Sequence, residues 1–184
     1  MTTAATRADS PAPVTRTRPD SPRADALARR LERGAQALAA FAASLTADEW
    51  QTPIPGDGRT IGVVVHHVAT VYPIEIDLAR AAASGTPITG VTMADIHTMN
   101  AEHARAHAQV GPTETLDLLL RNGLAAAEAI RTLSDRELDS AVDASLYDGA
   151  PVTCQFVLED HAVRHSYHHL AAMRRALGRS TAEA

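Results

Sequence analysis

Apolar residues along this 184-residue chain recur at helical rather than strand spacing. Leu27, Leu31, Leu38, Phe41 and Leu45 return to one face of a helix, and Ser21-Pro22 ahead of them is a start signal, a cap residue with proline in the first helical position. Thr46 to Glu49 reads as a capping box opening a short turn before Trp50, and Gln51 to Arg59, with two prolines and two glycines, as a loop. A second helix is predicted from about Thr60 to Ala83, stopping at Ser84-Gly85. Ile61, Val64, Val65, Val68, Tyr72, Ile76 and Ala79 form its apolar face, with Val63, Val71, Ile74 and Leu78 in a row beside it. Pro73 predicts a kink there, or an unpaired carbonyl near Ala69.

After a loop at 86–91, Thr92 to about Val110 reads as a helix stopped by Gly111-Pro112. Thr113 is the expected cap of the next, roughly Glu114 to Leu133, with Leu116, Leu119, Leu120, Leu124 and Ile130 inward. Residues 134–151 read as a connection with room for a short extended piece. From Val152 to Gly178 neither proline nor glycine intervenes, which predicts one long helix with Leu158, Ala162, Ala172, Met173 and Ala176 on one stripe. Residues 1–21, rich in Thr, Pro, Ala and Arg, read as a disordered leader, and 22–180 as a single domain. Long helices joined by loops predict an all-α, up-and-down four-helix bundle.

Composition agrees: the chain is 45% hydrophobic yet only 3% aromatic, which favours helix over sheet. The formal charge is −5, and no basic face interleaved with aromatics points to nucleic acid. A single cysteine, Cys154, excludes an internal disulfide or a CxxC metal site. On a common helix it stands about 16 Å from His165 at 1.5 Å per residue, too far to share a ligand, and reads as a small core residue. No apolar run reads as a membrane span and no signal-peptide core precedes the first helix, so the expected compartment is the cytoplasm.

Histidine is where the chemistry concentrates. His165 and His169 fall inside the last apolar stripe, four residues apart and so one above the other, whereas His168 falls outside it and His161 at its edge. On the second helix His67 projects into an apolar row, and His66 about 100° away toward Thr70 and Asp77, as the solvated member of the pair. Burying imidazoles without partners is costly. Hydrogen-bonded core histidines are one answer; the other is that the i, i+4 spacing brings two ring nitrogens onto one metal ion. Facing helices of a bundle supply further ligands, which makes His67, His165 and His169 a candidate triad with an open position, suited to Zn or Ni. His103 and His107, also four apart and with His97 near, form a rival pair on a less clearly buried face.

The stretches TIGVVVHHVA (60–69) and EDHAVRHSYHHLAAMRRALG (159–178), with LTADEW (45–50) and NAEHA (100–104), resemble the DinB-like four-helix bundles over about residues 24–178. These include bacillithiol and mycothiol S-transferases and mycothiol-dependent maleylpyruvate isomerases. Carried over, the family's metal triad falls on His67, His165 and His169. Leu170-Ala171 follows the last histidine where many members have Gly-Gln. The resemblance implies a divalent metal that lowers the pKa of a small, mycothiol-like thiol for attack on an electrophile in the adjacent pocket. His161, His103, Asn100 and Asp160 are the expected pocket or supporting residues, with Glu159 and Glu102 as further acceptors for imidazole N–H groups. Two other classes compete: a non-catalytic metal-binding stress or regulatory protein, and a structural helical homodimer whose histidines are core residues.

Overall fold

The structure, a computed structural model, describes residues 21–179, so the leader lies outside the described residues apart from Ser21. The chain forms α1 (Pro22–Ala43), the short α2 (Ala47–Trp50), α3 (Ile61–Ala83), α4 (Met93–Ala106), α5 (Pro112–Arg131) and the short α6 (Asp135–Leu138). A two-stranded antiparallel hairpin comes next, β1 (Ala141–Asp143) and β2 (Pro151–Thr153), with Val142 opposite Val152. The last helix has three parts: α7 (Cys154–Val157), a π-helical segment (Leu158–Val163) and α8 (Arg164–Ala176).

Most starts obey the expected cap chemistry. The side chains of Ser21, Thr60 and Thr153 accept hydrogen bonds from Ala24, Val63 and Phe156 N–H, and Thr46 and Thr92 close capping boxes with Glu49 and Asp95. The fifth helix is the exception. Gly111, not Thr113, occupies its cap position, because Pro112 fits the first turn, where no N–H is required, and so draws the start forward.

Four long helices make the bundle: α1, α3, α5 and the last helix. Arg131 of α5 pairs with Asp25 and Glu32 near the start of α1, so these two run antiparallel. Glu75 meets His165, and His67, two turns earlier, meets the ring of His169, so α3 and α8 are antiparallel as well. Arg30 pairs with Glu159 and Gly34 packs on Tyr167, so α1 and the last helix run parallel, and α3 and α5, each antiparallel to one of them, are parallel to each other. In chain order the four therefore run up, down, down, up. The parallel pair is made possible by α4, which carries the chain back along α3 so that Val110 accepts from Trp50 Nε1 beside the start of α3. Trp50 in turn lies flat on Gly62, where a Cβ would stand 2.2 Å from its ring nitrogen.

The core is aliphatic and small-residued. Leu31, Leu38, Ile61, Val64, Val65, Val68, Tyr72, Leu119, Ile130, Leu158 and Met173 are among its fully enclosed side chains. On α5 the inward stripe is Thr115, Leu119, Gly123, Ala126, Ala127 and Ile130. Leu120 and Leu124, expected inside, are 46% and 59% exposed, and Leu116 is only half-buried. Gly123 explains it: a Cβ there would lie 3.0 Å from that of Ala35, so α1 and α5 approach on their small residues and the bulky leucines turn outward. Contrary to the sequence expectation, α3 is long and apolar enough to cross a membrane by length and composition; 61% of that window is buried, as suits a helix wrapped by α1, α5 and the last helix. Pro73 does free the Ala69 carbonyl, and Asn122 Nδ2 donates to it at 2.8 Å.

The last helix departs from its prediction twice. Val152 and Thr153 belong to β2, so it begins at Cys154, and the π segment interrupts it. A π turn takes one more residue than an α turn, which advances the phase of every residue beyond it. Within the segment Leu158 and Ala162 are buried as expected; downstream Ser166 and Leu170 are enclosed along with the expected Met173, while Ala172 and Ala176 are half-buried. Cys154 is enclosed in the core, and burial pushes its thiol up to about 11.

Candidate metal centre

The helices α3 and α8 bring His67, His165 and His169 together. One ring nitrogen from each lies within 4.8 Å of the other two. His67 is 5% exposed and the others are half-buried, while His168 is exposed. His67 Nε2 and His165 Nε2 are 3.3 Å apart. Beneath them Glu75, a 5%-exposed carboxylate of α3, accepts the Nδ1–H of His165. That contact fixes the tautomer and turns the Nε2 lone pair toward His67.

The residues fit a divalent metal. Metal–nitrogen bonds of about 2.0–2.1 Å at a tetrahedral angle set ligand nitrogens about 3.3 Å apart. The His67–His165 spacing already has that value. Burial, reinforced by His165 and Arg59, pushes His67 down to about 2, and burial with His165 and His168 pushes His169 to about 3, so both rings keep their lone pairs at neutral pH. Glu75 Oε2 is buried with no hydrogen-bond partner among the described residues, a negative charge that a cation in the triad would offset.

Two cavities that share Asn100 lie in this region, and the first is lined by histidines of the cluster. The first, of about 230 Å³, is lined by His67, Glu75 and His165 at one end and by Val71, Ile74, Leu78, Met93, Ile96, Met99 and Leu146 elsewhere, with His161 and Asn100 as its other polar groups. The second, of about 390 Å³, is polar and holds Asp57, Arg59, His97 and Asn100. Asn100 thus lies between them. Arg59 is held by Asp57 at 2.6 Å, and its Nη1 is buried without a hydrogen-bond partner among the described residues.

The remaining expectations divide. His161 borders the apolar cavity and meets the Tyr147 hydroxyl at 3.1 Å. Asp160 accepts from Tyr147 and Arg164, Glu159 pairs with Arg30 and Glu102 is exposed, so none of the three supports an imidazole of the triad. Glu75 has that role instead. It was legible only as an acid set between Ile74 and Ile76 on the most apolar helix; Arg59 and Asp57, in a loop of mixed polar residues, carried no such signal. His66 is not simply solvated: it is half-buried, with its Nδ1 2.9 Å from His103 Nε2. His103 also meets the His67 ring edge-on at 5.5 Å between centroids, so the rival pair borders the triad.

The sequence pattern of the DinB superfamily matches residues 30–173. The chain belongs to the DinB superfamily. A solved structure of YfiT from Bacillus subtilis, described as a probable metal-dependent hydrolase with an unusual four-helix bundle topology, is similar to this DinB chain. The TM-score is 0.64 at 22% identity, over 85% of this chain and 89% of that one. No curated protein matches the sequence. This DinB bundle thus carries histidine triads able to hold a divalent metal, one of them bordering an apolar cavity.

Proposed function

We propose that this DinB protein is a metal-dependent S-transferase that uses a mycothiol-like small thiol against an apolar electrophile, with His67, His165 and His169 as the metal ligands. The observation that carries this reading is the placing of His67 and His165 at the end of an apolar cavity, which shares Asn100 with a polar cavity. A divalent ion there would supply the Lewis acidity that ionises a thiol at neutral pH. The chain's own residues do the rest. Glu75 holds the His165 ring in its tautomer. Arg59, with an unspent N–H, offers a donor to the hydroxyl or carboxyl groups of the thiol compound in the polar cavity. Val71, Ile74, Leu78, Met93 and Ile96 exclude water from the electrophile. Cys154, buried and with its thiol pushed up to about 11, does not compete as nucleophile.

A second reading, hydrolysis with water as nucleophile at the same triad, is favoured by the likeness to YfiT. The two part on the thiol. Calorimetry of the metal-loaded protein with mycothiol, bacillithiol and glutathione, and then conjugation of a bimane electrophile, is expected to give heat and product with at least one thiol, both abolished by chelation. No heat from any thiol, with metal bound and the protein folded, removes the transferase reading and leaves hydrolysis or metal binding without turnover.

A further inference from the structure

A second histidine cluster lies beside the first. His66 of α3 meets His103 and His107 of α4, and one ring nitrogen of each lies within 4.8 Å of the others. His66 Nδ1 is 2.9 Å from His103 Nε2, the His66 and His107 rings stack at 4.1 Å, and those of His103 and His107 are 4.6 Å apart. The plan repeats that of the inner triad: a single imidazole from α3 and an i, i+4 pair from a neighbouring helix. Successive residues on a helix project about 100° apart. The adjacent His66 and His67 therefore send one ring to each flanking helix.

Hydrogen bonding alone leaves this cluster unsatisfied. Thr70 Oγ1 is 2.9 Å from the His67 carbonyl, to which it donates, and 3.3 Å from His103 Nε2. Yet His103 Nδ1 is buried with no partner among the described residues. Among the described residues no carboxylate hydrogen-bonds any of the three rings, whose polar contacts are with one another and with Thr70. Three clustered imidazoles with spare lone pairs are instead a donor set for a borderline divalent cation.

We propose that His66, His103 and His107 form a second divalent-metal site, of the kind that takes Zn or Ni, and that its ion clamps α4 onto α3. The clamp has something to hold. No residue of α4 is buried, yet Met93, Ile96, Met99 and Asn100 of that helix line the apolar cavity and His97 and Asn100 the polar one. An ion shared between His66 and the two α4 histidines ties that wall to the core helix.

The site stands independently of the inner triad, and so does its test. The untagged full-length chain, stripped with chelator and dialysed against zinc, is expected to bind two ions, as counted by elemental analysis. His66→Ala/His107→Ala is expected to bind one, and His165→Ala/His169→Ala to bind one. Zinc should slow tryptic cleavage after Arg105 in the wild type and in His165→Ala/His169→Ala, but not in His66→Ala/His107→Ala. Circular dichroism verifies folding, and the milder His107→Gln replaces the double variant should the latter unfold. Zinc uptake by His66→Ala/His107→Ala equal to wild type, or none by folded His165→Ala/His169→Ala, overturns the second site; unchanged cleavage overturns the clamp. A single ion that survives His165→Ala/His169→Ala and is lost in His66→Ala/His107→Ala would keep the outer site and remove the inner one.

Discussion

At the scale of single residues, Glu75 is the side chain on which the inner triad depends most without belonging to it. It is enclosed in α3 and spends one oxygen on His165 Nδ1. Replacing it with glutamine keeps the shape but removes the charge and weakens the grip on the tautomer. Partners of this kind typically contribute 10–100-fold to metal affinity. Glu75→Gln is therefore expected to weaken zinc binding by about that factor while leaving helicity unchanged, as read by competition with a chromophoric chelator. Affinity equal to wild type would show that His165 orients itself.

Among the elements, α3 and α5 are joined by a compensation. Pro73 cannot donate to the Ala69 carbonyl, and Asn122 of α5 does so instead. Asn122→Ala should leave that carbonyl unpaired and cost roughly 1–3 kcal/mol. Alanine at position 73 restores an N–H within the helix. Pro73→Ala/Asn122→Ala is thus expected to lose less than Asn122→Ala alone, a coupling that urea denaturation of all four proteins of the cycle would measure. Additive losses would deny the compensation. The proline and its vulnerable carbonyl were legible in the sequence; the asparagine was not, because nothing local to Asn122 marks a partner 53 residues away. The same division runs through the chain. Caps at Ser21 and Thr46 were legible because their partners lie three residues on. The outward turn of Leu120 and Leu124 was not, because it is decided by how closely Gly123 lets α1 approach. Along the last helix a regular wheel phased correctly as far as the π segment and drifted beyond it, where Ser166 and Leu170 took the places expected of Ala172 and Ala176. His165 and His169 still face α3, since they flank the buried stripe on the side of His67. The histidine spacing made the inner triad visible; the outer cluster needed the backward run of α4, which no periodicity encodes.

For the whole molecule the histidines set a pH dependence. Burial, as the first cause, holds His67, His169 and His103 down to about 2, about 3 and about 4, and partial desolvation holds His66 and His168 below their ordinary 6.5. As pH falls the unfolded chain takes up these protons first, so folding stability is complete above 6.5 and is lost progressively from there toward the folded values. An enclosed histidine such as His67 contributes a slope of up to about 1.4 kcal/mol per pH unit, and the more exposed rings contribute less. The urea midpoint of the metal-free protein is expected to be level between pH 8 and 7 and to fall from pH 6.5 to 5, above the range where ordinary carboxylates titrate. A midpoint that is flat across that interval would mean the imidazoles are as accessible folded as unfolded.

The thin attachment of α4 has a kinetic consequence. None of its residues is buried, while α3 beneath it is enclosed on most sides. Opening a helix that exposes little new surface costs a small part of the global unfolding free energy and depends weakly on denaturant. Backbone amides of α4 should accordingly exchange with deuterium by a local route whose free energy scarcely changes with urea, whereas those of α3 exchange only as the bundle comes apart. Both cavities share the α4 wall, so this local opening sets the residence time of whatever occupies them. A small molecule's off-rate should then track the α4 amides across solution conditions and ignore changes in overall stability.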